Sequence, residues 1–303
     1  MSLPDYKTNP ILSLTTTFTA WKSLLLAIAL GASVGPDYDT STSLFFDIVN
    51  IKPTSLTTRL TRWDALYFMH DATNGKIYEQ EWAFGIGMPA AVRSICEILG
   101  LQTWESLVAI GISHVSHLAA VLALYQLTIT LCNDRKLAYL AAVVHILSPA
   151  GLFISAPYAE SPFACLSFIG NLLYAISLKN SPDSLKRNLA VVGAGLSYGV
   201  SCTLRSNGLF GGVLFAVEAV KCFLALFNGF TFSKILRLIS PVIGGLLVAV
   251  GFVAPQVLAW MRYCNGESID GEQRPWCGHR IPSIYTFVQE EYWYVSLHAL
   301  YQQ

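Results

Sequence analysis

Charge is scarce in this sequence. Only 13% of its 303 residues are charged and 53% are hydrophobic, whereas a typical soluble domain is about 25% charged. The 19 acidic and 19 basic residues balance, so no excess of positive charge supports nucleic-acid binding. A Walker loop, the phosphate-binding motif of ATP-driven pumps, is absent. Together with a mean hydropathy of +0.49, this composition indicates a membrane protein.

Cysteine is also limited. The chain has seven cysteines and no Cys-x-x-Cys pair, and most of them lie in or beside apolar segments, where a thiol packs as a small hydrophobe. Only Cys264 and Cys277 share a polar segment. A disulfide between them is one interpretation, provided that the segment faces an oxidising compartment. A zinc site with His279 is the alternative, although only three ligands are visible.

Long apolar runs are abundant. A membrane span needs about 20 apolar residues, and seven segments qualify or nearly so, at 11–34, 106–131, 137–154, 162–178, 189–204, 208–227 and 239–261. They predict an all-α polytopic membrane protein of one domain, residues 1–303. The first span at 11–34 is a signal anchor; a large loop at 35–105, a helical bundle at 106–261 and an end segment at 262–303 follow. Glycine pairs such as Gly193/Gly195 and Gly244/Gly245 predict close helix approach.

The loops predict an orientation. Most of the basic charge in short loops falls at 133–136, 179–187 and 229–237, which makes that side cytoplasmic by the positive-inside rule. The opposite, luminal side then receives four polar, aromatic-rich segments, at 35–105, 155–161, 205–207 and 262–303. Within the first of these, residues 88–99 predict an amphipathic helix lying at the membrane interface. Because all four polar segments fall on the luminal side, we expect the functional site to lie at that end of the helices.

Asp64 is the leading candidate for catalysis. It follows Trp63 and precedes Ala-Leu-Tyr-Phe, so that a lone carboxylate lies among aromatic residues near the membrane surface. Partial desolvation there would raise the pKa of Asp64 and make it a better general base for a hydroxyl group. The alternatives are a helix cap or an ion pair with Arg62.

Two further carboxylates, Glu79 and Glu81, lie two residues apart. In an extended stretch they would point the same way and could bind sugar hydroxyls; the alternative is a solvated turn.

Glu160 lies where the chain re-enters the membrane between two prolines, and a carboxylate at that depth suits a cavity or a simple hairpin. Arg205 could bind a phosphate through its forked guanidinium, with Asn207 as a further donor, or it could extend to lipid headgroups.

The remaining polar residues favour structural roles. Asp71 precedes a turn-like string and is expected to cap it. His114 and His117 share one face of the second span, which favours helix packing or cavity polarity over a metal site. Glu218 and Lys221 are three residues apart and are expected to pair on one helix.

Five sequence blocks carry a family resemblance. Arg-Trp-Asp-Ala-Leu-Tyr-Phe at 62–68, Tyr-Glu-Gln-Glu-Trp-Ala-Phe at 78–84, the proline-rich stretch at 148–163, Arg-Ser-Asn-Gly at 205–208 and the aromatic stretch at 274–293 occur in the family's order. Each block is weak alone, but all five in order resemble the GPI mannosyltransferase 2 (PIG-V) family. The resemblance covers nearly all of the chain beyond its first span.

That resemblance implies a GT-C type glycosyltransferase of the endoplasmic reticulum membrane with a luminal active site. Members use dolichyl-phosphate mannose as the donor and add the second mannose, in α-1,6 linkage, to the GPI-precursor glycolipid. They need no metal or other cofactor. In fungi they work with a small accessory membrane subunit. It implies that Asp64 is the base of an inverting transfer. The substrate-binding candidates are Arg62, Trp63, Glu79, Glu81, Trp82, Tyr158, Glu160, Arg205, Asn207, Trp276, Tyr285 and Gln289.

The end of the chain departs from the family pattern. Members continue after the Gln-Glu-Glu-Tyr-Trp block with another luminal segment and a further span, whereas this chain stops at Gln303. A C-terminally truncated, catalytically inactive homologue is therefore one alternative. A lipid transporter or flippase is another, although it would need charged residues deep in several spans.

Overall fold

The computed structural model describes residues 7–32, 39–48, 54–265 and 274–294, and within them the chain is helical and has no strand. The all-α prediction is confirmed. In chain order the α-helices are α1 (Pro10–Gly31), α2 (Ser41–Ile48), α3 (Ser55–Leu60), α4 (Asp64–Asn74), α5 (Gly87–Leu99), α6 (Glu105–Cys132), α7 (Arg135–Ile146), α8 (Glu160–Lys179), α9 (Leu185–Leu204), α10 (Gly212–Leu226), α11 (Phe232–Tyr263) and α12 (Ile284–Val288).

Five helical segments of the described chain are long and apolar enough to cross a membrane. They are Pro10–Gly31, Glu105–Cys132, Glu160–Lys179, Ser206–Leu226 and Phe232–Tyr263, and each coincides with a predicted span. The predicted span at 189–204 is part of α9, a helix of 20 residues. Because the first turn of α9 contains Lys186, Arg187 and Asn188, it is more polar than the other five.

The predicted span at 137–154 is not one continuous helix. α7 has 12 residues and rises about 18 Å, whereas the hydrocarbon core is about 30 Å thick. Pro149 ends it, because a proline disfavours helical geometry at the preceding residue and cannot donate a backbone hydrogen bond. The chain continues through a turn and a short 3₁₀ helix, Phe153–Ser155, before α8 begins.

Lys22 stabilises this irregular connection. Its side chain is 3% exposed, and its Nζ donates to the Gly151 carbonyl at 3.1 Å and to Ser155 Oγ at 2.7 Å. Ser113 Oγ of α6 donates to the Ala156 carbonyl at 2.7 Å. Irregular backbone at membrane depth persists only where protein groups satisfy it, so these contacts hold the connection against α1 and α6.

His117 is buried beside this connection. Its ring contacts Phe18 and His145 edge-on, at centroid distances of 5.2 and 4.9 Å. Among the described residues no three His, Cys, Asp or Glu side chains form a group suited to a metal ion. The predicted packing role fits this environment.

α9 lies at the centre of the second half of the bundle, between α8 and α11. A Cβ atom at Gly195 would lie 2.4 Å from Gly244 Cα, and one at Gly251 would lie 1.9 Å from the Gly199 carbonyl oxygen. Both distances are shorter than any side chain tolerates, so glycine is required for α9 and α11 to approach this closely. The predicted close approach is confirmed, and it fixes the end of α9, where Arg205 follows.

At the opposite end of the bundle, Glu218 is buried in an ion pair between helices. Its Oε1 lies 2.5 Å from Arg187 Nη2 and 3.7 Å from Arg237 Nη2. The predicted partner, Lys221, is exposed instead. That prediction was wrong because burial between α9, α10 and α11 selected partners from neighbouring helices.

Helices α2 to α5 form the first large loop. The predicted amphipathic helix is α5, which buries Met88, Val92 and Cys96 and leaves Leu99 exposed. Arg93 lies on the same helix and is partly buried. Its guanidinium folds over the end of α4, where Nε donates to the Ala72 carbonyl at 3.0 Å.

Candidate active site

All four polar segments that topology places at one end contribute to a single cavity of about 480 Å³. The residues that line it are Asp64, Phe68, Trp82, Ala83, Phe84, Gly85, Ile86, Phe153, Tyr158, Ala159, Glu160, Cys202, Thr203, Leu204, Arg205, Ser206, Asn207, Phe252, Pro255, Gln256, Tyr285 and Gln289. Eight of the residues named from the sequence are among them. Asp64, Glu160 and Arg205 supply its charge.

Asp64 is the first residue of α4. The N-cap position is Trp63, which makes no capping hydrogen bond through its side chain, so Asp64 is not the cap. Trp63 has φ of 52°, a conformation that bulky residues rarely adopt and that occurs at functional sites despite its cost. Its indole is 67% exposed and does not line the cavity. The unusual backbone at Trp63 turns the chain so that α4 begins at the cavity.

Two opposing effects act on the Asp64 carboxyl. Burial raises its pKa above the ordinary value, and the Arg205 guanidinium lowers it, with burial the larger effect. A carboxylate with a raised pKa is a stronger base than an exposed one, and a nearby cation favours its ionised form. Asp64 therefore has the environment that general-base chemistry needs.

Arg205 follows α9 directly, and Glu160 is the first residue of α8. Their side chains form an ion pair. Glu160 Oε2 is buried and has no hydrogen-bond partner among the described residues, and 42% of the Arg205 side chain is exposed. The Arg205 guanidinium therefore keeps donors available for a ligand in the cavity, and the Glu160 carboxylate is only partly satisfied. Asn207 adds an amide to the same wall.

Tyr158 connects this wall to the first loop. Its hydroxyl donates to the Arg62 carbonyl at 2.9 Å, and burial, with the nearby Asp64 and Glu160 carboxylates, raises its pKa to about 12. The phenol thus stays protonated. Arg62 does not line the cavity; its Nη1 donates to the Asp39 carbonyl at 2.8 Å. Arg62 therefore organises the loop around Asp64.

Glu79 and Glu81 lie in a 3₁₀ helix, Glu79–Ala83, so the predicted extended stretch was wrong. Glu81 is 2% exposed and accepts from the backbone N–H groups of Ile77 and Tyr78 at 2.6 and 2.9 Å. It also contacts His70 Nδ1. The local chain turns back on itself to satisfy these donors, which takes Glu81 out of the cavity wall.

Glu79 holds the last described segment. Trp276 Nε1 donates to Glu79 Oε1 at 3.1 Å, and Arg274 Nε lies 3.7 Å from the same oxygen. Trp276 is completely buried, so it packs behind the cavity rather than lining it. Tyr285 and Gln289, further along this segment, do line the cavity.

Next to Trp276, Cys264 and Cys277 form a disulfide. The disulfide interpretation is confirmed and the zinc interpretation is wrong, because the two sulfurs are bonded to each other. The bond ties the 3₁₀ helix Pro275–Gly278 to the end of α11.

Trp82 lines the cavity, and Lys76 Nζ lies 5.4 Å from the centre of its ring. Lys76 Nζ also donates to the Glu81 carbonyl at 2.7 Å and lies 3.0 Å from Asp71 Oδ2. Asp71 is buried within α4, so the predicted turn cap was wrong. This Asp71–Lys76 pair supports the loop that carries Trp82.

Sequence reasoning missed Gln256. It lies inside the apolar helix α11, directly after Pro255, and both residues line the cavity. Its Oε1 accepts from Ser283 Oγ at 3.1 Å. A proline followed by an amide inside a span is the signal that could have found it, because polar groups at such depth line cavities.

The fold and this cavity define a class: a multi-pass α-helical membrane protein with carboxylates and an arginine around a cavity at one end of its helices. The family described as Mannosyltransferase (PIG-V) matches residues 16–303, and the chain belongs to this family. It is a mannosyltransferase.

Relatives agree over most of the chain. It is 83% identical over 298 residues to the GPI mannosyltransferase 2 of Gibberella zeae, covering 98% of this chain and 70% of that protein. The GPI mannosyltransferase 2 of Chaetomium globosum is 39% identical, with coverages of 95% and 70%, and that of Aspergillus oryzae is 36% identical, with coverages of 95% and 67%. No solved structure matches the chain.

Proposed function

We propose that this mannosyltransferase transfers mannose from dolichyl-phosphate mannose to the GPI-precursor glycolipid and adds its second mannose in α-1,6 linkage. The names of its relatives support the acceptor. The observation that carries the mechanism is the cavity in which Asp64, Glu160 and Arg205 meet. One base, one cation and several neutral donors are the groups that a displacement at a sugar phosphate requires.

In the proposed step, the Asp64 carboxylate removes the proton from the acceptor hydroxyl. The hydroxyl oxygen forms a bond to the anomeric carbon of mannose while the bond from that carbon to the phosphate oxygen breaks. The electron pair leaves with dolichyl phosphate, and the β-linked donor becomes an α-linked product. Phosphate leaves without protonation, so a second acid is not needed.

Arg205 is placed to bind the departing phosphate. Its guanidinium can offer two parallel donors to phosphate oxygens, and Asn207 adds an amide to the same wall of the cavity. The Glu160 carboxylate, which lines the cavity and is 24% exposed, can accept a hydrogen bond from a sugar hydroxyl. Preorganised groups of this kind supply most of the acceleration in such transfers.

We place the protein in the endoplasmic reticulum membrane with its cavity facing the lumen. The basic loops at the opposite end support this orientation, and the Cys264–Cys277 disulfide at the cavity end fits an oxidising compartment. We also propose that the protein works together with a small accessory membrane subunit.

Cells that lack the endogenous enzyme test the function and the base together. We expect the unaltered protein to restore GPI-anchored proteins at the cell surface, and Asp64→Asn and Asp64→Ala to fail despite normal protein levels. Asp47→Asn is the control, because Asp47 is an exposed carboxylate of the same loop. Normal surface levels with both Asp64 variants would show that Asp64 is not the base.

Metal independence is tested separately. The sequence contains one Asp-x-Asp spacing, Asp37 and Asp39, and Asp37 lies outside the described residues. We expect transfer in washed microsomes to be unchanged by a chelator of divalent cations. A loss of transfer that Mn²⁺ or Mg²⁺ restores would contradict the metal-independent step.

A further inference from the structure

A second cavity, of about 530 Å³, adjoins the first. Trp82 and Ile86 line both of them. The remaining residues of the second cavity come from α4 and the turn after it, from α5 and from the end of α11. They are Asp71, Gly75, Lys76, Ala90, Arg93, Leu258, Met261 and Arg262. A ligand bound in this cavity would reach the first one beside Trp82.

The second cavity is basic. Lys76, Arg93 and Arg262 contribute three cations against the one carboxylate of Asp71. Lys76 pairs with Asp71 at 3.0 Å, and Arg93 Nε donates to the Ala72 carbonyl. Arg262 is different, because it is exposed in the last turn of α11 and its guanidinium lies 5.9 Å from the centre of the neighbouring Tyr263 ring. It can turn toward an anion without leaving a buried partner behind.

One edge of the second cavity is apolar. Leu258 and Met261, both about half exposed, lie one turn and one residue before Arg262 on the membrane-spanning helix α11. An apolar edge beside a guanidinium at the end of a span matches a ligand whose phosphate carries a hydrocarbon chain. A lipid phosphodiester has both features, whereas a free phosphate lacks the hydrocarbon chain and a free sugar lacks the chain and the phosphate.

We propose that the second cavity binds the phosphodiester and adjoining lipid of the acceptor, with Arg262 contacting the phosphate and the sugars passing Trp82 toward Asp64. The inference rests on the proposed function, because a glycosylphosphatidylinositol precursor carries its phosphodiester between inositol and lipid. Donor and acceptor thus occupy separate cavities that meet at Trp82. Arg205 recognises one phosphate and Arg262 the other.

Kinetics with both substrates test this division. We expect Arg262→Ala to raise the KM for a singly mannosylated GPI precursor about tenfold or more, the usual effect of losing a charged hydrogen bond, without changing the KM for dolichyl-phosphate mannose. Arg262→Lys should recover part of the loss, because an ammonium still binds phosphate as a point charge. Arg135→Ala, at the opposite end of the bundle, is the control. An unchanged acceptor KM, or equal changes for both substrates, would overturn the proposal.

Direct binding separates this inference from the proposed function. Purified Asp64→Asn protein in phosphatidylcholine nanodiscs should bind the same precursor, and adding Arg262→Ala should weaken binding about tenfold. If the unaltered protein transfers no mannose but binding still depends on Arg262, the proposed function fails while the site stands. If binding is independent of Arg262, the site is wrong. Equal competition by phosphatidylserine would assign the cavity to bulk anionic lipid and overturn its assignment to the acceptor.

Discussion

Glu160 and Arg205 form an ion pair between the first residue of α8 and the residue that follows α9, on the wall of the cavity that Asp64 also lines. The close packing of α9 against α11 through Gly195 and Gly244 fixes the end of α9. Arg205 is therefore held by the bundle and not by a loop alone. Arg205 is paired with Glu160 and interacts electrostatically with Asp64, so it is positioned before any phosphate arrives, which reduces the cost of binding one.

Arg205→Lys keeps the charge but removes the planar fork. We expect the KM for dolichyl-phosphate mannose to rise about tenfold, because an ammonium cannot form the two parallel hydrogen bonds of a guanidinium. Thermal stability in detergent should change little, since 42% of the side chain is exposed. Arg262→Lys is the matched comparison and should leave the donor KM unchanged. An unaltered donor KM in Arg205→Lys would remove Arg205 from the donor site.

The pH dependence of transfer should report Asp64. The base must be ionised, so the rate rises with pH through the pKa of Asp64, and burial raises that pKa above the ordinary value of about 3.9. Arg205 lowers the pKa of Asp64. Arg205→Met should therefore shift the acid limb of the pH–rate profile, the rise in rate as Asp64 ionises, to higher pH. Arg205→Lys keeps the positive charge and should leave that limb in place. The measurement is the rate at saturating donor between mildly acidic and neutral pH. An identical limb in Arg205→Met would show that the two groups are not coupled.

The sequence located most of the site because topology alone assigned the loops to two ends. Asp64, Tyr158, Arg205 and Gln289 are far apart in the chain, yet each belongs to a segment at the same helix ends, and all line one cavity. Alternating span direction and the distribution of basic loops were sufficient to bring them together. The hydrogen bonds and ion pairs of these four residues could not be predicted from the topology.

Three features show what sequence patterns could not resolve. Glu81 has the composition of a sugar-binding residue, but its backbone partners depend on how the loop folds back. Gln256 lies within an apolar run, and the mean hydropathy of that segment does not reveal a single polar residue. The break after α7 depends on Pro149 and on Lys22, which lies more than a hundred residues earlier in the chain. Each outcome is decided by contacts between segments rather than by local preference.

Removing one member of the buried ion pair at the opposite end should destabilise the bundle. Arg187→Ala leaves the Glu218 carboxylate buried without its partner at 2.5 Å, which costs about 3–5 kcal/mol. The double change Arg187→Met with Glu218→Leu should cost less, since no buried carboxylate is left without Arg187. Arg237, the other cation near Glu218 at 3.7 Å, is 36% exposed and can be solvated. Fluorescence-detected aggregation temperatures of detergent-solubilised protein measure both, with Lys221→Ala, an exposed neighbour on α10, as the control. Equal stability of Arg187→Ala and Lys221→Ala would contradict a stabilising pair.

The disulfide predicts a definite count of reactive thiols. Cys96, Cys132, Cys165, Cys202 and Cys222 are free, and Cys264 and Cys277 are bonded, so denatured protein should bind five molecules of a maleimide-polyethylene glycol reagent before reduction and seven after it. Cys132→Ser should lower both counts by one. The double change Cys264→Ser with Cys277→Ser should give five reactive thiols both before and after reduction. It should also weaken transfer more than Cys132→Ser does, because the disulfide holds the segment that carries Tyr285 and Gln289 against the cavity. Seven reactive thiols before reduction would show that the bond does not form in the membrane.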